Sequence, residues 1–165
     1  LGGFALVRSM NPVDVIKLPC PSELKAIILH PKIELKTIHA REILKKNVSL
    51  KKAVVQWGNL AAFISALYTE NFDLMSRSLI DEIVEPMRSL LIPEFEKVKK
   101  AALEARALGF GISGSGPSVY ALAKGIKDAN GIADAMRSNI KQVGIDFEIH
   151  ISTINNQGIK IISNK

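Results

Sequence analysis

Residues 111–118 read Gly-Ile-Ser-Gly-Ser-Gly-Pro-Ser, and the rest of the chain is organised around this stretch. Glycine adopts positive φ and lets the backbone approach a ligand closely, so successive N–H groups can form a concave anion site. Pro117 cannot donate a backbone hydrogen bond, which predicts that the loop leads into a strand over 118–123. A helix is predicted before the loop, and this order is the reverse of the strand-loop-helix order of the well-known nucleotide loops. A tight structural turn without a ligand is an equal alternative.

Composition limits the classes of function. The chain has 165 residues, of which 47% are apolar and 23% charged, as expected for one globular domain. The net charge is +6, but the basic residues are dispersed along predicted helices, which argues against a nucleic-acid surface. One cysteine and three widely separated histidines give no disulfide framework and no metal-ligand spacing. Since no apolar run is long enough for a membrane span, we predict a cytoplasmic protein. The spacing of the cysteine and the histidines also predicts no metal site in this chain.

The periodicity of apolar residues places strands and helices along the chain. Strands are predicted over 14–18, 24–30, 118–123 and 147–151, with a last strand over 159–162 after a turn at 155–158. Helices are predicted from residue 37, after Ser49, over 72–77 and 79–85, from Pro93 to about 109, and from Asp128 to Val143. This grouping predicts an α+β domain whose helices pack on one face of a mainly antiparallel sheet.

The helix after Ser49 is the longest one predicted. Its expected buried stripe consists of Ala53, Trp57, Leu60, Ile64 and Leu67. Gly58 costs such a helix about 1 kcal/mol relative to alanine, which is tolerable if something packs closely there.

The first residues are apolar and begin without an initiating methionine or a cap. We expect such a start in a sequence cut from a larger protein. Residues 1–12 are therefore interpreted as a remnant of an amino-terminal domain or an interdomain segment, and residues 13–165 as the domain proper. Removal of a partner domain should expose apolar surface around Phe4, Leu6 and Val7, and so favour self-association or an unpaired edge strand.

Several short motifs together carry a resemblance to a known family. Residues 109–125 read GFGISGSGPSVYALAKG, and the supporting segments in order are Leu1–Phe4, Thr37–Arg41, Glu85–Arg88, Leu91–Phe95 and Ala101–Ala105. These segments resemble the GHMP small-molecule kinases, which include galactokinase, homoserine kinase, mevalonate kinase and phosphomevalonate kinase. Within that group these segments are most similar in sequence to the homoserine kinases. The resemblance covers the chain to about residue 125 and implies the ferredoxin-like carboxy-terminal domain of such a kinase.

The resemblance also implies an activity and a set of site residues. The activity is ATP-dependent transfer of phosphate to the side-chain hydroxyl of L-homoserine, a step toward threonine. The implied substrate residues are Thr37, Arg41 and Arg88. The implied glycine-rich loop beside substrate and phosphates comprises Ser113, Gly114, Ser115 and Gly116.

The chemistry of these residue types agrees with that role. A guanidinium group offers planar, bidentate hydrogen bonds to a carboxylate, so two arginines would fix the substrate and point its hydroxyl at the γ-phosphate. Each residue also has a simpler structural reading. Arg41 could form a surface ion pair, Arg88 could pair with Glu85, and Thr37 could make a local hydrogen bond at a helix start.

The chain departs from the family pattern at the nucleotide site. The family's main nucleotide loop and its magnesium-binding acidic residues lie in an amino-terminal domain, and nothing in this sequence matches that loop. We therefore expect ATP and Mg²⁺ to be bound mainly by that missing domain, and the isolated chain to be inactive. No catalytic residue or general base can be named, and a homodimer is compatible with the resemblance. A mevalonate-type kinase and a non-catalytic amino-acid-binding module are the alternatives.

Overall fold

The structure is a computed structural model that describes residues 2–142, 144–159 and 161. The strands are β1 Phe4–Met10, β2 Val13–Leu18, β3 Leu24–Pro31, β4 Gly109–Ile112, β5 Val119–Lys124 and β6 Phe147–Thr153. The helices are α1 Thr37–Glu42, α2 Leu50–Thr69, α3 Phe72–Ser78, α4 Glu85–Arg88, α5 Phe95–Glu104 and α6 Gly125–Lys141. A short 3-10 turn, Ser89–Leu91, follows α4. None of the helices within the described ranges combines the length and the apolar character that a membrane crossing needs.

The main sheet has four strands in the order β4-β5-β3-β6, and all neighbouring pairs are antiparallel. In chain order, β3, α5, β4, β5, α6 and β6 form the β-α-β-β-α-β pattern of the ferredoxin-like motif. The predicted α+β class with a mainly antiparallel sheet is therefore confirmed.

Both faces of the sheet are covered by helices, which corrects the expectation of helices on one face. Ile27 and Leu29 of β3 belong to a core shared with α5 and α6, where Ile132 is fully buried. The alternate residue Leu24 belongs to a second core, which includes Leu67 of α2 and Met75 of α3. Since β3 and β5 are apolar on both faces, each face needs a cover, and burying each large apolar side chain stabilises the fold by about 1.5–3 kcal/mol.

The amino-terminal strands form a separate two-stranded ribbon. β1 and β2 are antiparallel, and the predicted strand over 14–18 is confirmed as part of β2. The ribbon packs against α2, because the ring of Phe4 meets that of Phe63 edge-on at 5.6 Å between centroids. Phe4 and Leu6 are half-buried, whereas Val7 is exposed. The division of the chain at residue 12 falls in the turn of this hairpin and stays a prediction.

Helix α2 begins where the sequence predicts, but it buries a different face. The hydroxyl of Ser49 accepts a hydrogen bond from the backbone N–H of Lys52. Of the predicted stripe, Leu67 is buried, whereas Trp57 and Leu60 are exposed. The prediction was wrong because apolar residues surround most of this helix, so their spacing selects no unique face. A Cβ at Gly58 would meet nothing within 4 Å, so no close packing occurs there.

The segment 79–84, predicted as helical, is irregular. The carboxylate of Asp81 accepts hydrogen bonds from the backbone N–H groups of Ile83, Val84 and Glu85. This local pairing competes with helix formation, so the helix starts only at Glu85. Pro86 lies in the first turn of α4, where the missing N–H costs nothing.

The remaining elements follow the predictions with small shifts. Helix α6 starts at Gly125 rather than Asp128, and its predicted apolar residues Ile132, Met136 and Ile140 are buried. Val143 lies outside the described residues. Strand β6 confirms the alternation over 147–151. Residues 159 and 161 are not in a strand, and the other half of that predicted strand, residues 160 and 162, lies outside the described part of the chain.

Candidate functional site

The glycine-serine loop forms the tip of the β4–β5 hairpin. It spans residues 113–118, where the N–H of Ser113 donates to the carbonyl of Ser118 at 2.8 Å and the N–H of Gly116 donates to the carbonyl of Ser113 at 3.1 Å. The predicted order of helix, loop and strand is therefore wrong, because β4 precedes the loop. The loop is held at both ends by the sheet, which fixes its position.

Strand β4 was missed because two of its four residues are glycines, which weaken a strand signal. The structure shows why glycine is needed there. A Cβ at Gly109 would lie 2.5 Å from the Cβ of Leu79, and a Cβ at Gly111 would lie 3.0 Å from the hydroxyl of Tyr120. These glycines therefore allow close packing under the hairpin.

Arg88 joins the loop to α1. Its Nε donates to the backbone carbonyl of Ala40 at 3.0 Å, and its Nη1 donates to the carbonyl of Gly114 at 2.9 Å. A guanidinium group has five N–H donors, so three remain for a ligand after these two bonds. The alternative considered from sequence, a pairing of Arg88 with Glu85, is not formed, because Glu85 pairs with Lys99 instead.

Thr37 also reaches the loop. Its Oγ1 lies 3.3 Å from the Oγ of Ser115, and both side chains are solvent-accessible hydroxyls that can donate or accept. Thr37 is the first residue of α1, and Ala40 in the same helix is fully buried. The buried Ala40 thus anchors the short helix, and its first residue is presented to the loop.

Arg41 lies on α1 next to the Ala40 carbonyl that Arg88 binds. Its side chain is exposed and makes no hydrogen bond or ion pair with any residue that the structure describes. The surface ion pair considered from sequence is therefore absent within the described residues. The structure brings Thr37, Arg88, Gly114 and Ser115 together, and Arg41 lies one residue away from that contact. Whether these residues bind substrate stays a prediction.

A buried ion pair fixes the helix that carries Arg88. Glu85 is buried, and its carboxylate accepts from the ammonium group of Lys99 on α5. Lys99 also lies 5.9 Å from the centroid of the Phe95 ring, which belongs to the core. Burial raises the pKa of Glu85 above its ordinary value, while the hydrogen bond and charge of Lys99 oppose that shift. Helix α4 is thereby anchored to α5.

A cavity of about 360 Å³ opens between α2 and the β4–β5 hairpin. Arg88 and Gly114 line it together with Asp81, Glu85 and Tyr120. Burial raises the pKa of the Tyr120 hydroxyl, and the nearby carboxylates of Glu85 and Asp81 add to the shift. Tyr120 is therefore a neutral hydrogen-bonding group at physiological pH.

The sequence interpretation missed Asp81, Glu85 and Lys99. A signal for Asp81 was present, since an aspartate shortly before Glu85-Pro86 is typical of a helix start. No local signal marks the pair of Glu85 with Lys99, because it depends on how α4 and α5 pack. Within 2–142, 144–159 and 161, no group of three or more potential ligand side chains could hold a metal ion.

Comparison with known proteins gives the family. The sequence pattern described as GHMP kinases C terminal matches residues 59–142, just over half of the chain. The chain belongs to this family. The expected resemblance to the GHMP kinases and their carboxy-terminal fold is thus confirmed.

Full-length GHMP kinases similar to this chain are about twice as long. A homoserine kinase of Chlorobium phaeobacteroides is 46% identical over 165 residues, covering 98% of this chain and 51% of that protein. The crystal structure of a homoserine kinase from Cytophaga hutchinsonii matches with a TM-score of 0.93 and 49% identity, over 95% of this chain and 50% of that one. A phosphomevalonate kinase of Streptococcus pneumoniae, solved with phosphomevalonate and AMPPNP, shares 14% identity at a TM-score of 0.65, over 86% of this chain and 43% of that one. This last similarity shows the fold alone.

Proposed function

We propose that this chain forms the substrate side of a homoserine kinase. In the proposed reaction the hydroxyl oxygen of L-homoserine forms a bond to the γ-phosphorus of ATP, while the bond from that phosphorus to ADP breaks and the hydroxyl proton is released. The similarity to two homoserine kinases at 46% and 49% identity supports this substrate. The chain spans about half the length of these relatives, so the activity is proposed for a protein that also has an ATP-binding domain.

The observation that carries the proposal is the position of Arg88. The guanidinium group is held by α1 and the loop through two backbone carbonyls, and its free N–H groups remain available. A guanidinium group oriented in this way can bind a carboxylate through two parallel hydrogen bonds. Arg41 supplies a second cation from the neighbouring helix position, and Thr37 supplies a hydroxyl. We assign the α-carboxylate of L-homoserine to these residues.

Binding of the α-carboxylate by these residues, which we call the carboxylate clamp, contributes to catalysis by positioning the substrate. Phosphoryl transfer depends mainly on alignment of the nucleophile with the γ-phosphate and on stabilisation of charge. With the carboxylate fixed, the loop of Ser113, Gly114, Ser115 and Gly116 lies on the side where substrate and phosphates would meet. We propose that ATP and Mg²⁺ are bound mainly by the amino-terminal domain, and that the enzyme acts in the cytoplasm. No general base is assigned.

The test compares L-homoserine with 3-aminopropan-1-ol, which has the same hydroxyl and amine but lacks the carboxylate. The protein is this chain joined to its ATP-binding domain. We expect Arg88→Ala and Arg41→Ala each to reduce kcat/KM for L-homoserine by about 10–100-fold, because each removes a charge-assisted hydrogen bond of about 1.5–3 kcal/mol. We expect the wild type to have low activity toward 3-aminopropan-1-ol, because this compound lacks the carboxylate. The substitutions should change that activity little, so that the preference for L-homoserine collapses.

Arg137→Ala is the matched control, because that partly exposed arginine on α6 pairs with Asp134, away from the loop. The control should keep full activity and full preference. The chain without an ATP-binding domain should produce no phosphohomoserine. If the arginine variants lower activity toward both compounds equally, the carboxylate clamp is wrong. If the joined wild-type protein does not phosphorylate L-homoserine, the proposed substrate is wrong.

A further inference from the structure

Helix α2 is connected to the segment before α4 by side-chain hydrogen bonds. The amide oxygen Oε1 of Gln56 accepts from the backbone N–H of Glu82 at 2.9 Å. Three residues further along α2, Nδ2 of Asn59 donates to the backbone carbonyl of Ile80 at 3.1 Å. Residues three apart project from the same side of a helix. This side of α2 therefore binds the backbone of the irregular segment 79–84.

The bond from Glu82 to Gln56 completes the pairing of the backbone that leads into α4. The N–H groups of residues 83–85 all donate to the carboxylate of Asp81. The N–H of Glu82 instead donates to α2. All four successive N–H groups of residues 82–85 thus have side-chain acceptors. Because an unpaired N–H group away from water is unfavourable, these acceptors define the backbone conformation of the segment.

The conformation of this segment affects Arg88, because α4 is too short to hold itself in place. The helix has four residues, Glu85–Arg88, and a single helical turn is not stable alone in water. Arg88 donates to the carbonyls of Ala40 and Gly114 at 3.0 and 2.9 Å. Hydrogen bonds of this kind weaken beyond about 3.2 Å. A small displacement of α4 would therefore break them and release the guanidinium group.

The cavity beside the β4–β5 hairpin gives the hydrogen bond of Gln56 its weight. Gln56, Asp81 and Arg88 all line that cavity of about 360 Å³. Open space on this side leaves less side-chain packing between α2 and α4, so the link between them depends on polar contacts. On the other side, the ion pair of Glu85 with Lys99 links α4 to α5.

Helix α2 is a stable support for such a contact. It has 20 residues, and the hydroxyl of Ser49 caps its start. Ala66 and Leu67, near its other end, are buried in the core. The side chain of Gln56 is half-buried, so its amide is held close to the segment that it binds.

We propose that Gln56 is a positioning residue of the substrate site. It holds the backbone of residues 82–85 and, through α4, the guanidinium group of Arg88. The inference rests on the proposed function, in which Arg88 binds the α-carboxylate of L-homoserine. Gln56 itself contacts no substrate, so its effect on recognition passes through Arg88.

The test variant is Gln56→Met, made in the chain joined to its ATP-binding domain. Methionine is similar to glutamine in length and helix propensity but is only a weak acceptor, so α2 is kept while the bond to Glu82 is lost. We expect the preference for L-homoserine over 3-aminopropan-1-ol, measured as the ratio of their kcat/KM values, to fall about tenfold. A purely structural role would lower both activities together and leave this ratio unchanged. Gln56 is half-buried, so the variant should fold, as thermal unfolding will check.

A double-mutant cycle tests whether the effect passes through Arg88. In the Arg88→Ala background, Gln56→Met should lower the preference no further, because residues that act through one contact are not additive. Asn139→Ala is the matched control, since this half-buried amide on α6 bonds the carbonyl of Ala135 in the same helix. The control should keep the full preference. An unchanged preference in Gln56→Met, or a full additional loss in the Arg88→Ala background, overturns the inference.

A crystal structure of Gln56→Met separates this inference from the proposed function. We expect Arg88 to have lost its hydrogen bond to the carbonyl of Ala40, to that of Gly114, or to both. This result does not depend on the identity of the substrate. If the wild-type protein does not phosphorylate L-homoserine, the proposed function is wrong, and the position of Arg88 in the variant still decides the inference. An Arg88 that keeps both bonds in Gln56→Met overturns it.

Discussion

Gly114 and Gly116 share a left-handed backbone but differ in their surroundings. Their φ angles are +62° and +83°, a region that costs other residues about 1–2 kcal/mol. A Cβ at Gly114 would meet nothing within 4 Å, whereas one at Gly116 would lie 3.2 Å from side-chain carbons of Ile92 and Leu35. A side chain at position 116 would therefore be crowded by its neighbours, whereas position 114 has space for one.

Alanine at the two positions should have unequal costs. We expect Gly114→Ala to lower the free energy of unfolding by about 1–2 kcal/mol, and Gly116→Ala to lower it by about 1 kcal/mol more because of overpacking. Gly131→Ala, in the exposed middle of α6, should instead raise it by up to about 1 kcal/mol. Denaturant unfolding measures all three. Equal losses at 114 and 116 would show that crowding around the loop is unimportant.

At the residue scale, the family resemblance named the candidate site residues, whose roles stay predictions. Thr37, Arg88, Gly114 and Ser115 were all predicted as site residues, and they are in contact. The partners of Arg88 could not be predicted, since both are backbone carbonyls, which carry no sequence signal. The Glu85–Lys99 pair could not be predicted either, because it spans fourteen residues and depends on tertiary packing.

At the scale of elements, α4 has only four residues and is stabilised from outside. The carboxylate of Asp81 accepts hydrogen bonds from backbone N–H groups at the start of α4. The ion pair of Glu85 with Lys99 links α4 to α5. Because burial raises the pKa of Glu85 in the folded protein, the unfolded chain releases this proton at lower pH than the folded one does. The contribution of Glu85 to stability is therefore greatest below its unfolded pKa and declines as pH rises through the folded pKa.

The pH dependence of unfolding tests this assignment. We subtract the unfolding free energy of Glu85→Gln from that of the wild type. This difference should decrease as pH rises from about 4.3, the ordinary glutamate pKa, through the raised value. Lys99→Met, which removes the group opposing the shift, should extend this decline to higher pH. A difference curve for Glu85→Gln that is flat across this range, or rises with pH, would mean that the pKa of Glu85 is not raised.

Helices and strands with one clear apolar face were predicted well. Strand β6 and helices α5 and α6 lie close to their predicted positions, since a single face of each determines its packing. Strand β3 also lies at its predicted position, because its short continuous apolar run indicates a strand that is covered on both faces. The buried face of α2 was mispredicted because apolar residues occur around most of that helix. Strand β4 was missed because its glycines are selected by contacts with Leu79 and Tyr120, which lie far away in the sequence or across the hairpin.

At the scale of the whole molecule, a packed core supports a candidate site built from distant segments. Helices α5 and α6 pack on one face of the sheet, and the β4–β5 hairpin extends from that sheet to present the loop. Residues 37–41, 81–88 and 113–118 meet at the hairpin tip. The sheet and α5 fix the loop and α4 respectively, so the geometry of Arg88 depends on the complete fold.

The central claim is that this meeting point holds the carboxylate of the substrate. A crystal structure of the chain joined to its ATP-binding domain, with L-homoserine and a non-hydrolysable ATP analogue, tests it most directly. We predict that the α-carboxylate lies about 2.7–3.2 Å from the guanidinium nitrogens of Arg88, with Arg41 on the same side. L-Homoserine bound with its carboxylate away from both arginines, while Arg88 contacts only Ala40 and Gly114, would contradict the claim.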